Sequence, residues 1–463
     1  MLTVEAALEL VLRETPTPRC IQVPLETALG LTLAAPITSD LDSPPHDKSL
    51  VDGYAARWSD IVAGQSLVVL EEVLAGAVPR RSISPGTATR LMTGAPIPMG
   101  ADVVVMIEQA ELEQSGLQQS GLEQSGLEQR GLEQRGLEQR GAVHVDRVRL
   151  RPPRGQVGMN IMRRGQSMTA GSLVLPAGKK IRPVEIGLLA EVGCAHVPVH
   201  APPSVAILST GNELVSVLEC PGPGQIRNSN GPLLQAAVAQ LGATPRNLGV
   251  AVDTAESLAA AMREGLAADV LILSGGVSAG VADLVPSLLQ QLGVQQIFHK
   301  IQLRPGKPLW FGVLPRSPRN TLVFGLPGNP VSSLVCFELF VRPALERLLG
   351  QTARRSSPSE AYLARPFHHR GDRPTYYPAR WATAQESFGP ESFGPESFGP
   401  ESGVGGGADQ RALARSARPT IELLNWQGSA DLRTLAEATG LACFPAGERA
   451  YASGDVVAWR ELS

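Results

Sequence analysis

Hydrophobic positions come in short bursts over roughly the first 200 residues, and beyond Ala201 they lengthen into apolar runs separated by amphipathic stretches. "VEAALELVLRET" (4–15) repeats its apolar residues at helical spacing and predicts a helix, with a short strand after it. From about 45 to 155, runs such as "QSLVVLEEVLAG" and "ADVVVMIEQA" alternate with Gly/Pro turns, which predicts a small β domain. "AGSLVLPAGKKIRPVEIGLLAEVG" reads as a strand or turn and then a helix. The strands "SVAILST", "TPRNLGV", "DVLILSGG" and "NTLVFGLPG" are separated by the helices "GPLLQAAVAQLG", "TAESLAAAMREGL" and "ADLVPSLLQQLG". A long helix, "NPVSSLVCFELFVRPALERLLG", follows the last strand. This alternation predicts right-handed crossovers and a doubly wound, mainly parallel sheet. Short strand-like runs return beyond about 355 and predict a final β domain.

Two tracts break the pattern. Residues 112–141 are six tandem pentapeptides of the "LEQSG/LEQRG" type, and 386–400 are three copies of "ESFGP" followed by "ESGVGGGAD". A five-residue period matches neither helix nor strand, and a glycine in every unit weakens a helix. Both read as disordered loop expansions, the first at the tip of a hairpin whose second strand is "VHVDRVRLRP". Stretching a five-residue loop to about thirty-five residues costs only about 1.7 kcal/mol of closure entropy.

Composition narrows the classes. At 463 residues the chain exceeds one ordinary core, and 43% hydrophobic residues suffice for several. With 41 basic against 44 acidic residues and 4% aromatics, neither polyelectrolyte binding nor stacked-base recognition of nucleic acid is indicated. Cys20, Cys194, Cys220, Cys336 and Cys443 are scattered, with no C-x-x-C pair, so neither a disulfide framework nor a zinc knuckle is predicted. The acidic, helical start lacks the character of a signal peptide, and no apolar run reaches membrane-spanning length; a cytoplasmic location is expected.

The candidate chemistry lies in loops that follow three of the apolar strands. The first contains Ser209, Thr210, Gly211 and Glu213; the second, Ser274, Gly275, Gly276, Ser278 and Gly280; the third, Pro327, Gly328, Asn329, Pro330 and Ser332. Ligands of open parallel sheets sit beyond the carboxyl ends of the strands, and glycine lets backbone N–H groups approach an anion. Lys300, Arg304 and Lys307 surround a Pro-Gly turn between the second and third loops and suit an oxyanion, although a solvated basic turn is the plain alternative. Asp283, just past the second loop, either caps the next helix or holds a magnesium ion.

These residues, together with "SPPHDKSLVDGYA" (43–55), "RLMTGAPIPMGADVVV" (90–105), "NIMRRGQ" (160–166), "GQIRNSN" (224–230) and "LRPGKP" (303–308), resemble the molybdopterin molybdenumtransferase family, which includes the C-terminal domain of gephyrin. The resemblance implies a multidomain α/β plus β protein. It places a discontinuous linker domain at 1–42 and 156–200 and an inserted β domain at 43–155. An α/β molybdopterin-binding domain follows at 201–352, and a C-terminal β domain at 353–463 carries the second repeat loop at about 385–410. It implies insertion of molybdate into adenylated molybdopterin with release of AMP, dependence on Mg2+ with Asp283 as a ligand, and a homodimer whose sites lie at the subunit interface. Asp52, Thr93 and Glu185 match positions that the family places at its site, and Asn228 matches a substrate-binding one. On their own, Asp52 and Thr93 read equally as turn residues, and Glu185 as an exposed helix carboxylate. A molybdopterin adenylyltransferase or a molybdoenzyme would be the partner; neither nucleic acid nor a membrane is expected.

Gln166 and Ser167 stand where many relatives carry acids, Asn228 where some carry aspartate, and Arg304 where a lysine is common, which puts a second metal-binding carboxylate in doubt. Two rival readings remain: another enzyme on the same α/β unit (molybdopterin adenylyltransferase or CinA-like nucleotide hydrolase), or a dimeric scaffold that clusters partners.

Overall fold

The computed structural model describes residues 1–113, 147–152, 154–277, 284–351, 359–382 and 419–462. Residues 114–141 of the first pentapeptide tract, all of the second, and the expected site residues Ser278, Gly280 and Asp283 lie outside the described residues. The chain divides into two compact units, one of 1–35, 177–190 and 194–463, the other of 36–176 and 191–193.

The larger unit is built on a six-stranded sheet of β1 (Ser204–Thr210), β2 (Thr244–Ala251), β3 (Val270–Ser274), β4 (Gln295–His299), β5 (Trp310–Leu314) and β6 (Thr321–Leu326), in the order β2-β1-β3-β6-β5-β4. The first four are parallel, as expected. β5 and β4 continue the sheet antiparallel, an addition that the sequence reading missed because "QQIFH" is short and half polar. The basic segment 300–309 is therefore the connection of an antiparallel strand pair.

Both faces of the inner strands β1, β3 and β6 are apolar because both are covered, whereas the edge strand β2 is mostly exposed. Val205, Ile207, Val270, Ile272, Leu322 and Phe324 pack on one face with helices α1 (Val4–Glu14) and α3 (Asn230–Leu241). Ala206, Leu208, Leu271, Leu273 and Val323 pack on the other with α4 (Ala255–Gly265) and α5 (Leu284–Gln291). The long helix predicted after β6 is α6 (Pro330–Cys336), a π turn at Phe337–Val341, and α7 (Arg342–Leu348). Pro343 has no N–H to give back along the helix, and the helix widens into the π turn just before it.

The C-terminal residues form a closed barrel of β7 (Ser359–Leu363), β10 (Thr420–Leu423), β9 (Thr375–Trp381), β11 (Gly440–Phe444) and β13 (Val456–Glu461), while β8 (Phe367–Gly371) pairs with β12 (Gly447–Tyr451). α2 (Pro183–Glu191) also belongs to the larger unit, apart from its last residue.

The smaller unit holds its own six-stranded β sheet over Tyr54, Leu67, Ala88, Val103, Val105 and Val148. In it, Ala110–Glu113 pairs antiparallel with Arg147–Leu150, the two arms expected to flank the first repeat tract. No helix of the described residues is long and apolar enough to cross a membrane.

Candidate active site

Strand register decides where the predicted loops go. Ser209 lies beside Ser274, and Ser274 beside Leu326, so the loops after β1, β3 and β6 leave the sheet at one level. They open into a cleft of about 1460 Å³. Its floor includes Thr210, Gly211 and Glu213, then Asn228 and Asn230, then Ser274 to Val277, then Pro327 to Pro330 and Ser332. Residues 303–308 and parts of the C-terminal β region, 367–377 and 426–430, complete the lining.

Short polar side chains tie the floor together. Asn228 Oδ1 accepts from the Ser209 hydroxyl at 3.1 Å and from the Gly231 N–H at 3.0 Å, joining the end of β1 to the start of α3. Asn230 Nδ2 donates to Ser274 Oγ and to the Gly328 carbonyl, both at 2.7 Å, and so links the second and third loops. Gly275 and Gly276 have φ of +95° and +64°, and a Cβ on Gly275 would lie 2.5 Å from the Thr210 carbonyl oxygen. Only glycine lets the backbone close the floor there. Two buried polar atoms of the floor, Thr210 Oγ1 and Asn230 Oδ1, find no partner among the described residues. Buried polar groups are nearly always paired, so these two point to a ligand.

The basic turn is stitched to the barrel by its backbone: the Arg304 N–H donates to Pro374 O at 2.9 Å, and the Tyr376 N–H to Arg304 O at 2.8 Å. Arg304 and Lys307 are exposed and line the cleft, with Arg373 from the barrel. Lys300, at the end of β4 with φ of +70°, is not part of the lining. Two carboxylates, Glu213 and Asp253, line the same cleft and have no hydrogen-bonding or ion-pair partner for their side chains among the described residues.

The other expected residues are elsewhere. Asp52 and Thr93 belong to the smaller unit, where they form one motif: Asp52 Oδ1 accepts from the Thr93 N–H at 2.6 Å and from its hydroxyl at 2.7 Å. Those bonds hold the Asp52 carboxyl below its ordinary value.

Glu185 is not the exposed carboxylate that sequence alone allows; it is 3% exposed in the first turn of α2. It accepts from Arg182 Nη2 at 2.7 Å and from the Arg182 N–H at 2.9 Å, with Lys179 Nζ at 3.6 Å. The Arg182 hydrogen bonds lower its pKa to about 2, against about 4.3 in an unfolded chain. A lowered folded pKa gives stability that is present above the unfolded value and lost as pH falls through the folded one. Between about pH 4.5 and 2, the melting temperature of the protein should therefore fall more steeply than that of Glu185→Gln, measured by circular dichroism. Parallel curves would remove this role.

The sequence reading missed Asn230, Asp253 and the entire barrel side. Asn230 was visible as the last residue of "GQIRNSN"; Asp253 and the barrel residues lie in stretches with no local signature.

A doubly wound sheet whose strand-end loops meet a basic turn defines an α/β protein with a cleft for a large anionic ligand. Residues 2–193 match the model of the "MoeA N-terminal region (domain I and II)", and 206–347 that of the "Probable molybdopterin binding domain". A molybdopterin molybdenumtransferase of Bacillus subtilis (strain 168) is 35% identical over 351 residues, 74% of each chain. One from Nostoc sp. is 35% identical over 334 residues, 71% of this chain and 69% of its own. The crystal structure of a molybdopterin biosynthesis MoeA protein from Pyrococcus horikosii superposes with a TM-score of 0.73 at 28% identity, covering 100% of this chain and 99% of that one. The chain belongs to the molybdopterin molybdenumtransferase family. It is an enzyme of molybdenum cofactor biosynthesis, with its role in molybdenum insertion.

Proposed function

We propose that this cleft binds adenylated molybdopterin together with molybdate, and that phosphoanhydride cleavage releases AMP as molybdate enters the dithiolene. The observation that carries this reading is the meeting of a glycine-rich floor with Arg304 and Lys307 in one cleft of about 1460 Å³. The floor's N–H groups and hydroxyls suit phosphate, and the guanidinium of Arg304 can grip two oxygens of phosphate or molybdate at once.

The donor set also fits Mg2+. Two free carboxylates in a cleft for a polyanion are repulsive unless a cation lies between them and the ligand. Mg2+ needs only one or two carboxylates when substrate phosphates complete its shell. Among the described residues no group of three or more His, Cys, Asp or Glu gathers into a cage. Glu213 and Asp253 would hold the ion, with Asp283 the further ligand that the family pattern suggests. Bound there, Mg2+ would polarise the phosphoanhydride.

The test is AMP release from adenylated molybdopterin, expected only when molybdate and Mg2+ are both present. Release unaffected by their omission, or no release at all, would reject the reading. The rivals confined to the α/β unit leave the match over 2–193 unexplained.

A homodimer completed by Asp52, Thr93 and Glu185 across the interface is part of the proposal. Exposed Val217, Leu218 and Ile226 beside the cleft offer an apolar contact. Light scattering should give twice the chain mass; an active monomer would exclude it. Five free cysteines suit a reducing cytoplasm. Exchange with an adenylyltransferase or a molybdoenzyme would supply substrate and take product.

A further inference from the structure

Among the described residues the sheet side of the cleft contributes no aromatic ring; its rings, Phe367, His368, His369, Tyr377 and Trp426, all come from the C-terminal β region, in and beside the barrel. Tyr377 braces Trp426 edge-on, with centroids 5.2 Å apart at 83°, and Phe367 packs edge-on to Tyr377 at 5.3 Å. Trp426 is half-buried, packed against the core while also lining the cleft.

The position of this wall is set. The Val331 N–H donates to Ser429 O at 3.1 Å, and Asn329 Nδ2 donates to Ser429 Oγ at 2.8 Å, tying the segment after Trp426 to the third floor loop. Two heteroaromatic nitrogens of the wall, Trp426 Nε1 and His369 Nε2, are buried without a partner among the described residues. The first is a donor. The second is an acceptor in the neutral tautomer protonated on Nδ1, and burial favours the neutral ring.

We propose that the barrel wall is a stacking subsite for a planar nitrogen heterocycle of the substrate, with Trp426 as its platform. It rests on the function proposed above and adds where one end of the ligand lies. Adenylated molybdopterin has a heterocycle at each end, pterin and adenine, with phosphates between them. A polar floor for the phosphates bordered by an aromatic wall matches that division. Both rings carry acceptor nitrogens and N–H donors, so they share the chemistry that the wall offers.

Calorimetric titration of the full-length protein with AMP, and separately with 6-hydroxymethylpterin, tests the assignment. Trp426→Ala should weaken one of them about tenfold or more, the loss expected when a stacking platform is removed. Trp426→Phe, which keeps a flat face, should stay within about threefold of the wild type if stacking carries the contact. The ligand affected names the ring. Unchanged affinity of a folded Trp426→Ala for both probes, in a protein that still releases AMP, overturns the subsite and leaves the proposed function standing. Failure of the wild type to bind either probe, with no AMP release, overturns both. If Trp426→Ala does not fold, Trp426→Phe and Trp426→Leu decide: equal binding by the two overturns stacking, and loss in the leucine variant alone supports it.

Discussion

Arg304→Ala is expected to lower kcat/KM for AMP release about a hundredfold or more while leaving the fold intact. Its guanidinium is exposed in the cleft, whereas its backbone carries the bonds to Pro374 and Tyr376, and those bonds survive any side-chain change. A charge-assisted hydrogen bond contributes about 1.5–3 kcal/mol, and two to one oxyanion account for the expected loss at 1.36 kcal/mol per tenfold. Arg304→Lys keeps the charge without the fork and should recover part of the rate. Steady-state kinetics beside a melting curve make the comparison. Near-normal kcat/KM in a folded Arg304→Ala would move oxyanion binding to Lys307 and Arg373.

Gly306→Ala should be the costlier change to the protein itself, at about 3 kcal/mol or more. Gly306 has φ of +127°, and a Cβ there would lie 2.7 Å from both Cys336 Sγ and Leu303 Cδ2. Cys336 and Leu303 are fully buried in the core, so neither can swing aside. Backbone strain and overpacking therefore act together. Gly242→Ala is the control: its φ is +92°, but nothing lies within 4 Å, so only the strain remains, about 1 kcal/mol. Urea unfolding of both variants gives the difference. If Gly306→Ala costs no more than the control, the turn is looser than its packing indicates. Because this turn carries Arg304 and Lys307, activity should fall beyond what the lost folded fraction explains.

The α/β unit was legible in the sequence because its inner strands β1, β3 and β6 are apolar on both faces and its helices on one. That pattern survives any tertiary detail, and β1, β2, β3 and β6 form where it predicts them. The glycine loops were legible for a related reason: a backbone that must approach a ligand at positive φ cannot hide its glycines, as Gly275 and Gly276 illustrate. Glu185 was legible as a residue but not in its environment. Its partner Arg182 is three positions away, yet burial of the pair depends on how α2 packs.

Local periodicity and loop composition, then, determined by themselves the alternating α/β core, the floor of the cleft and its basic turn. Only the tertiary structure decided that Ser209, Ser274 and Leu326 stand level, that Asn230 joins two loops, and that the C-terminal residues bring Trp426, Tyr377 and His369 to the same cleft. The physical reason is sequence distance. Helix and strand propensities act over a few residues, whereas Ser429, three residues after Trp426, is bonded to Asn329 a hundred positions away, and no local pattern records which distant side chains such a bond will bring there.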